Sequence, residues 1–247
     1  MNIFINGIRG KMGKVLKKVI LESDDFKYLG GYSSKKDEAN LIYDDFNSIK
    51  EKIDVIIDFS NPKTLDAMLD YALINNIPLV IATTGYSDLE LDKIKKASNN
   101  IAICQSYNMS LGINTLIEIL NIASTMLNDF DIEIIEKHHN KKIDSPSGTA
   151  IMLANKITNL LTNRYITNRE HSNNNLRNKD EIAIHAIRGG SIFGEHNVLF
   201  AGDDEVIEIK HTALSKDIFA KGSLKASLFL LNKNNGFYTM KDILGGM

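Results

Sequence analysis

The chain has no tryptophan, three prolines and a single cysteine. One thiol excludes an intrachain disulfide framework, and Cys104, at the end of the apolar run IAIC, reads as a buried thiol rather than a reactive one. Neither sign of charge is in excess. The 29 Lys and Arg against 31 Asp and Glu leave a net charge of −2, which gives no electrostatic case for nucleic acid or an anionic membrane surface. No stretch approaches the roughly 18 consecutive apolar residues of a membrane span. The opening residues, MNIFING, read directly as a strand without a signal-peptide layout, so a cytoplasmic protein is expected. Internal repeats are absent as well. What is present is an ordinary globular composition, 43% hydrophobic and 24% charged over 247 residues, enough for one large domain or two modest ones.

Up to Cys104 the chain alternates strand and helix patterns. Ile3–Ile5 is a short apolar strand, and Met12, Val15, Leu16, Val19 and Ile20 then recur at helical spacing. A second strand covers Tyr28–Tyr32. The run Val55–Phe59 has the continuous apolar character of a strand buried on both faces. A helix marked by Leu65, Met68, Leu69, Ala72 and Leu73 follows, then a strand at Leu79–Ala82, and Ser87 with Glu90 forms a capping box for another helix before the strand Ile101–Cys104. This order predicts an α/β fold, a doubly wound parallel sheet of Rossmann type. After Asn108 the rhythm changes. A helix is predicted over 112–126, followed by alternating strands at Asp131–His139, Glu181–Arg188, Glu195–Ala201 and Glu205–Thr212, as in an α+β domain whose mixed sheet has one open face. Asn163–Asp180, rich in Asn and Arg, reads as a surface loop; a last helix covers Lys216–Leu231, and a short tail contains Gly236, Gly245 and Gly246.

Gly7, Gly10 and Gly13 lie between the first strand and the first helix. Glycines there let the backbone approach a pyrophosphate, which the helix N-terminus attracts with its free N–H groups and partial positive charge. Arg9 stands where the commoner G-x-G-x-x-G has glycine, and a plain strand-to-helix turn remains the alternative. An NAD-selective site usually ends the second strand with an acidic residue on the ribose hydroxyls. Here the strand runs into Ser33, Ser34, Lys35 and Lys36, which suits a 2′-phosphate, and Arg9 and Lys11 add charge from the adjacent loop. NADPH is therefore the favoured cofactor over NADH, with a solvated lysine loop as the alternative. Three further loops, at Asp58–Pro62, Ala82–Gly85 and Ser106–Met109, follow strand C-termini, where ligands bind in such sheets.

The segment EKHHNKKIDSPSGTA, 136–150, is the densest in chemistry. Strand alternation puts Ile132, Ile134, Glu136 and His138 on one face and His139 on the other. The adjacent histidines thus do not chelate one metal, and with one thiol in the chain no metal site is expected. Ser147 is a candidate N-cap for a helix whose apolar stripe is Ala150, Leu153, Ala154, Ile157, Leu160 and Leu161. Gly148 and Thr149 then offer N–H groups and a hydroxyl to an anion, Pro146 stiffens the approach, and Lys142 adds a full charge. His138 supplies a group that moves protons near neutrality. The chemistry predicted is carboxylate binding beside a proton donor.

These residues resemble the family of 4-hydroxy-tetrahydrodipicolinate reductases, also called dihydrodipicolinate reductases, of diaminopimelate and lysine biosynthesis. Its pattern E-x-H-H-x-x-K-x-D-x-P-S-G-T-A matches Glu136, His138, His139, Lys142, Asp144, Pro146, Ser147, Gly148, Thr149 and Ala150. GIRGKMG at 7–13, DFSNP at 58–62, ATTG at 82–85, NMSLG at 108–112, IRGGSIFGEH at 187–196 and HTALSKDIFAKG at 211–222 extend the likeness along nearly the whole chain. The resemblance implies a cyclic imine dicarboxylate substrate that loses water and is reduced by NAD(P)H. It implies His138 as proton donor with Lys142 assisting, and His139, Gly148 and Thr149 on a substrate carboxylate. Gly7, Ile8, Arg9, Gly10, Lys11 and Met12 would hold the pyrophosphate, Ser34 and Lys35 the adenosine ribose end, and Ala82, Thr83, Thr84, Ser106, Tyr107, Asn108 and Met109 the nicotinamide side. Better-known members have an acidic residue and an arginine at the positions of Ser34 and Lys35, a departure that also points to NADPH. Tyr107 stands where a small residue is common. The implied architecture is a cofactor domain over 1–109 and about 217–247, with the last helix returning to it, and a substrate and oligomerisation domain over 110–216 whose sheets associate into a homotetramer. Two rival readings are another two-domain amino-acid-pathway reductase, such as a semialdehyde dehydrogenase using Cys104, and a non-catalytic NADPH-sensing protein, which would not need His138, Lys142 and the SGT turn together.

Overall fold

In the computed structural model, which describes residues 1–167 and 176–245, the apolar runs and periodic stripes become β1 (Asn2–Asn6), α1 (Lys11–Leu21), β2 (Lys27–Tyr32), β3 (Ile42–Tyr43), β4 (Val55–Asp58), α2 (Leu65–Asn75), β5 (Leu79–Ile81), α3 (Asp88–Ala97) and β6 (Ala102–Gln105). There follow α4 (Leu111–Met126), β7 (Asp131–His138), α5 (Gly148–Leu160), β8 (Tyr165–Thr167), β9 (Glu181–Arg188), β10 (Gly194–Ala201), β11 (Val206–Ala213), α6 (Asp217–Leu230), β12 (Gly236–Tyr238) and α7 (Met240–Ile243). The chain divides into two compact units, Met1–Leu111 with Lys216–Met247, and Gly112–Ser215.

The first unit holds a parallel sheet in the order β12-β6-β5-β4-β1-β2-β3. Its central strands bury both faces, which is why they read as unbroken apolar runs. Ile3, Ile5, Val55 and Ile57 pack with Leu16 and Ile20 of α1 and with Leu224 and Leu230 of α6. Phe4, Ile56, Leu79 and Ile81 point the other way, onto Leu65, Met68 and Leu69 of α2 and Ile94 of α3. Helices on both faces make the sheet doubly wound, and each such side chain, once fully buried, contributes about 1.5–3 kcal/mol. The Ser87–Glu90 capping box starts α3, as its sequence predicts.

The second unit holds a mixed sheet in the order β11-β10-β7-β9-β8, with β11, β10 and β7 antiparallel and β7, β9 and β8 parallel. Ile132, Ile134, Ile182, Ile184, Val198 and Phe200 turn one face toward Ile113, Leu116 and Leu120 of α4 and Leu153 and Ile157 of α5.

Four short elements depart from the sequence reading. Tyr165–Thr167, within the stretch read as a loop, is an edge strand paired in parallel with β9; residues 168–175 of that reading lie outside the described residues. Three residues are too few to show a period, and Tyr165 and Ile166 are not buried. The strand is held instead by Arg164, whose buried guanidinium donates to the carbonyls of Asn128 at 2.7 Å and Phe130 at 2.9 Å, and to Lys179 O. The two-residue β3 escaped notice for the same reason of length. The tail is also structured, with β12 extending the first sheet beside β6, and α7 starting on a capping box between Thr239 and Asp242.

Candidate active site

In the first unit, the turn after β1 brings the glycines into service. Gly7 has φ +86°, and a Cβ there would lie 2.5 Å from Phe59 O. A Cβ at Gly13 would collide with Gly7 O. The loop is thus folded tightly on itself and on the end of β4. Gly10 is the N-cap of α1 and brings no side chain to it, and the first turn contains no acidic residue. This cradle of backbone, with uncapped helix N–H groups and no carboxylate, fits a pyrophosphate. Ile8 is buried, whereas Arg9, Gly10 and Lys11 are exposed and Met12 is half-buried.

Arg9 reaches across to the loop after β2. Its Nη2 donates to Lys35 O at 3.4 Å and lies 3.6 Å from Asp37 Oδ2. Ser34 and Lys35 are exposed there, so Arg9, Ser34 and Lys35 come together at the end of β2. Asp37, which the sequence reading passed over, is turned back onto its own loop, accepting from Asn40 N at 3.3 Å and Asn40 Nδ2 at 2.9 Å. Lys36 pairs with Glu38 at 2.6 Å.

At the ends of β4 and β5 a polar knot forms. Asp58 is 1% exposed. It accepts from Asn6 Nδ2 at 2.9 Å, Tyr86 Oη at 3.0 Å, Ser60 N at 3.1 Å and the Ser60 hydroxyl. Burial pushes its carboxyl up, and these donors hold it back. Thr83 belongs to this knot, for its Oγ1 accepts from Ser60 N at 2.8 Å and it is buried; its side chain holds the loop rather than facing outward. Ala82 is half-buried, its N–H donating to Asp58 O at 2.9 Å, and Thr84 is exposed. Ser106 and Asn108 brace one another, with Ser106 Oγ donating to Asn108 O at 2.9 Å and Asn108 Oδ1 accepting from Ser110 N at 2.9 Å. Met109 is in the core, and Tyr107 is 57% exposed. Burial pushes the Cys104 thiol up to about 12, so it is a thiol and not a thiolate at neutral pH, and no acyl-enzyme nucleophile.

In the second unit, β7 alternates along its length with Ile132, Ile134, Glu136 and His138 on the buried side. Glu136 is 0% exposed and is the centre of the cluster. Its Oε2 lies 2.5 Å from His138 Nδ1 and accepts from Arg188 Nη1 at 2.8 Å. Its Oε1 accepts from Arg188 Nη2 at 2.7 Å and Ser147 N at 3.0 Å. Burial alone would raise the Glu136 carboxyl, but Arg188 first, then His138 and the Ser147 N–H, more than offset it and hold it below the ordinary carboxylate range. Sheet register explains the assembly. Arg188 on β9 pairs with His138, and His196 on β10 pairs with Glu136.

The turn after β7 carries Lys142, whose N–H donates to His139 O at 3.1 Å and whose Nζ pairs with Asp144 Oδ2 at 2.8 Å. That ammonium holds the Asp144 carboxyl below its usual range. Arg188 Nη2 also donates to Asp144 O at 2.8 Å. After the cis Ser145–Pro146 bond, Ser147 caps α5 by accepting from Ala150 N at 3.2 Å. Its Oγ lies 3.1 Å from His196 Nε2. His196, 5% exposed, is pushed down to about 4 by burial and by His138 beside it, so it is neutral at pH 7. Gly148 is exposed, with nothing within 4 Å of where a Cβ would stand, and Thr149 is half-buried. Among the described residues His139 Nδ1 is buried without a hydrogen-bond partner, and no group of three His, Cys, Asp or Glu side chains is arranged to hold a metal ion. The segment therefore carries an imidazole, an ammonium and a helix N-terminus that opens on an exposed glycine. Arg188 and His196 were visible only as letters within IRGGSIFGEH, with no spacing rule to join them to Glu136.

Comparison with known proteins bears on both units. A family model described as dihydrodipicolinate reductase, N-terminus, matches residues 1–109, and one described as dihydrodipicolinate reductase, C-terminus, matches residues 112–244. The 4-hydroxy-tetrahydrodipicolinate reductase of Clostridium novyi (strain NT) is 47% identical over 246 residues, covering 98% of this chain and 97% of that protein. The protein of the same description from Caldanaerobacter subterraneus subsp. tengcongensis is 44% identical over 247 residues, covering 99% and 98%. Among solved structures, a dipicolinate-bound dihydrodipicolinate reductase from Paenisporosarcina sp. TG-14 shares the fold with a TM-score of 0.80 at 23% identity, each chain covered to 97%.

Proposed function

The chain belongs to the dihydrodipicolinate reductase family, and on that premise we propose that it reduces 4-hydroxy-tetrahydrodipicolinate to tetrahydrodipicolinate with loss of water, the pyridine-nucleotide-dependent step of diaminopimelate and lysine biosynthesis. The observation that carries this reading to the residues is the folding of segment 136–150 into a proton donor, a cation and an anion-receiving helix start. A substrate carboxylate is received by the N–H groups and hydroxyl at Gly148 and Thr149, with His139 Nδ1 as a further partner and Lys142 as the countercharge. A pyridine nucleotide held there would supply hydride to a ring carbon of the conjugated imine that loss of water leaves. The ring must then take a proton, and His138, with Lys142 assisting, delivers it. Gly7 to Met12 hold the pyrophosphate, and the Ala82–Thr84 and Ser106–Met109 loops line the nicotinamide end.

NADPH is the preferred form of the cofactor. Arg9, Ser34 and Lys35 meet at the end of β2, and Asp37, the acid that Arg9 reaches, is occupied by Asn40 and Arg9. We further infer a cytoplasmic homotetramer. No helix among the described residues is long and apolar enough to cross a membrane. The open face of the second sheet carries Ile187, 45% exposed, and Val206, 56% exposed, a pattern that supports pairing with other copies; light scattering that returns only monomers would remove this part.

The test is turnover in a coupled assay that forms the cyclic imine in situ. His138→Ala and Lys142→Ala are each expected to lose about 10²–10⁴ in kcat with circular dichroism unchanged. Near wild-type rates in both would overturn the assignment. Cofactor oxidation with the cyclic imine, and none with aspartate semialdehyde, separates this reading from its rivals.

A further inference from the structure

We propose that Glu136, clamped by Arg188, is a positioning residue that sets the proton inventory of His138 and ties that imidazole to the helix start receiving the substrate carboxylate. The inference rests on His138 being the proton donor. Four donors converge on one buried carboxylate, namely His138 Nδ1 and Arg188 Nη1 on Oε2, and Arg188 Nη2 and the Ser147 N–H on Oε1. An ionised carboxylate offers about four lone-pair positions and only accepts, so every position is used and His138 must carry a proton on Nδ1. The exchangeable position is then Nε2, which lies 3.0 Å from where a Cβ at Gly194 would stand; glycine at that position leaves Nε2 room.

The same carboxylate grips residue 147 through the backbone, one residue before α5. Acid and carboxylate receptor are therefore fixed to a common point. Arg188 shares the carboxylate's charge with His138 through both of its terminal nitrogens. The other ionisable groups around His138 are Lys142 and Asp144 in the turn after β7, and His196 on β10, whose ring centroid lies 5.2 Å away. His211 on β11 lies beyond His196, its register partner. None of these presents a second carboxylate within hydrogen-bonding distance of His138 Nδ1 among the described residues.

The experiment is the pH dependence of kcat/KM on the full chain at saturating NADPH. The acid is active when protonated, so activity falls as pH rises through its pKa. In Glu136→Gln, Arg188 Nη2 and the Ser147 N–H keep the carbonyl at the Oε1 position, and the amide NH2 at the Oε2 position faces Arg188 Nη1, which loses its acceptor, and His138 Nδ1, which must then accept and forgo its proton. The imidazolium loses its anionic partner, so the falling limb moves to lower pH, by about 1–3 units for a partner at this range, and kcat drops by about 10² or more. Glu136→Asp retains the charge and restores the limb toward its wild-type position. Arg188→Gln removes the competing cation and moves the limb the other way, to higher pH. Calorimetric binding of pyridine-2,6-dicarboxylate to Glu136→Gln stays near wild type, because the Ser147 N–H keeps its acceptor. A limb unmoved in Glu136→Gln overturns the proposal, as does equal loss in the Gln and Asp variants, which would mean packing alone. Should Glu136→Gln fail to fold, Arg188→Gln decides, and an unmoved limb there overturns it equally. His138→Gln separates the two levels: a limb that vanishes there while Glu136→Gln leaves it in place sinks only this inference, whereas a limb that persists in His138→Gln sinks the assignment of His138 beneath it.

Discussion

Thr149 is the second residue of α5, half-buried beside the exposed Gly148. At a helix start the backbone N–H groups attract an anion without help, and the hydroxyl adds one directed bond. Thr149→Val keeps the shape and deletes that bond. A hydrogen bond to a charged group contributes about 1.5–3 kcal/mol, so KM for the cyclic imine should rise about 10- to 100-fold with kcat nearly unchanged, the pattern of lost uniform binding. Steady-state kinetics check it, and a fall confined to kcat would place Thr149 in the proton-transfer step instead. At this same scale lie the residues that sequence alone left without a role. His138, Lys142 and Ser147 are legible because a strand alternates, a turn follows and a serine precedes an apolar stripe. Arg188 and His196 are not, because what joins them to Glu136 is strand register between segments far apart in the chain. Asp58 was likewise read only as part of a strand end and its following loop, though it is the most enclosed acid of the first unit.

Elements with a clear period or an unbroken apolar run were readable from the chain, the three-residue β5 among them, and short ones without either were not. α3 announces itself by its capping box and β4 by four consecutive buried residues. β3, β8 and β12 have two or three residues each, too few for a period of two to show, and their stability comes from neighbours, as with the Arg164 clamp that holds β8. The loop between β2 and β3 takes a course that its composition does not dictate. Its letters present both lysines and an acid; the structure turns Asp37 inward to Asn40 and lays Arg9 against Lys35 O. A 2′-phosphate there would meet Arg9 and Lys35 together. Lys35→Ala should therefore lower kcat/KM with NADPH by about tenfold or more, in line with one charge-assisted bond, and leave the NADH value within about threefold. Arg9→Ala should act the same way, with a smaller effect because Asp37 already shares its charge. Paired measurements with the two cofactors test this, and a wild-type preference for NADH would count against the whole arrangement.

Over the whole molecule, net charge is close to balanced, so the dependence of stability on pH comes from a few enclosed groups rather than from general repulsion. His196 sets the first window. Its folded value is about 4 against an ordinary 6.5, through burial and then the neighbouring His138. Between those values the unfolded chain binds a proton that the folded chain refuses, so stability is complete above pH 6.5 and is lost as pH falls toward 4. Across the window the loss is about 3 kcal/mol, at roughly 1.4 kcal/mol per pH unit. His211, also lowered by burial, acts in the same direction. Glu136 opens a second window below it: a carboxyl held under its ordinary 4.5 contributes stability that is present above that value and fades as pH falls through the folded one. Asp58, raised by burial, has the opposite sign and favours the fold when protonated, which blunts the acid loss. The separable part is His196. Urea unfolding at pH 7 and pH 5 should show the wild-type chain losing about 2 kcal/mol, and His196→Gln, which keeps an acceptor for the Ser147 hydroxyl but cannot titrate, losing distinctly less. An equal loss in both would assign the acid sensitivity to the carboxylates and remove His196 from the account.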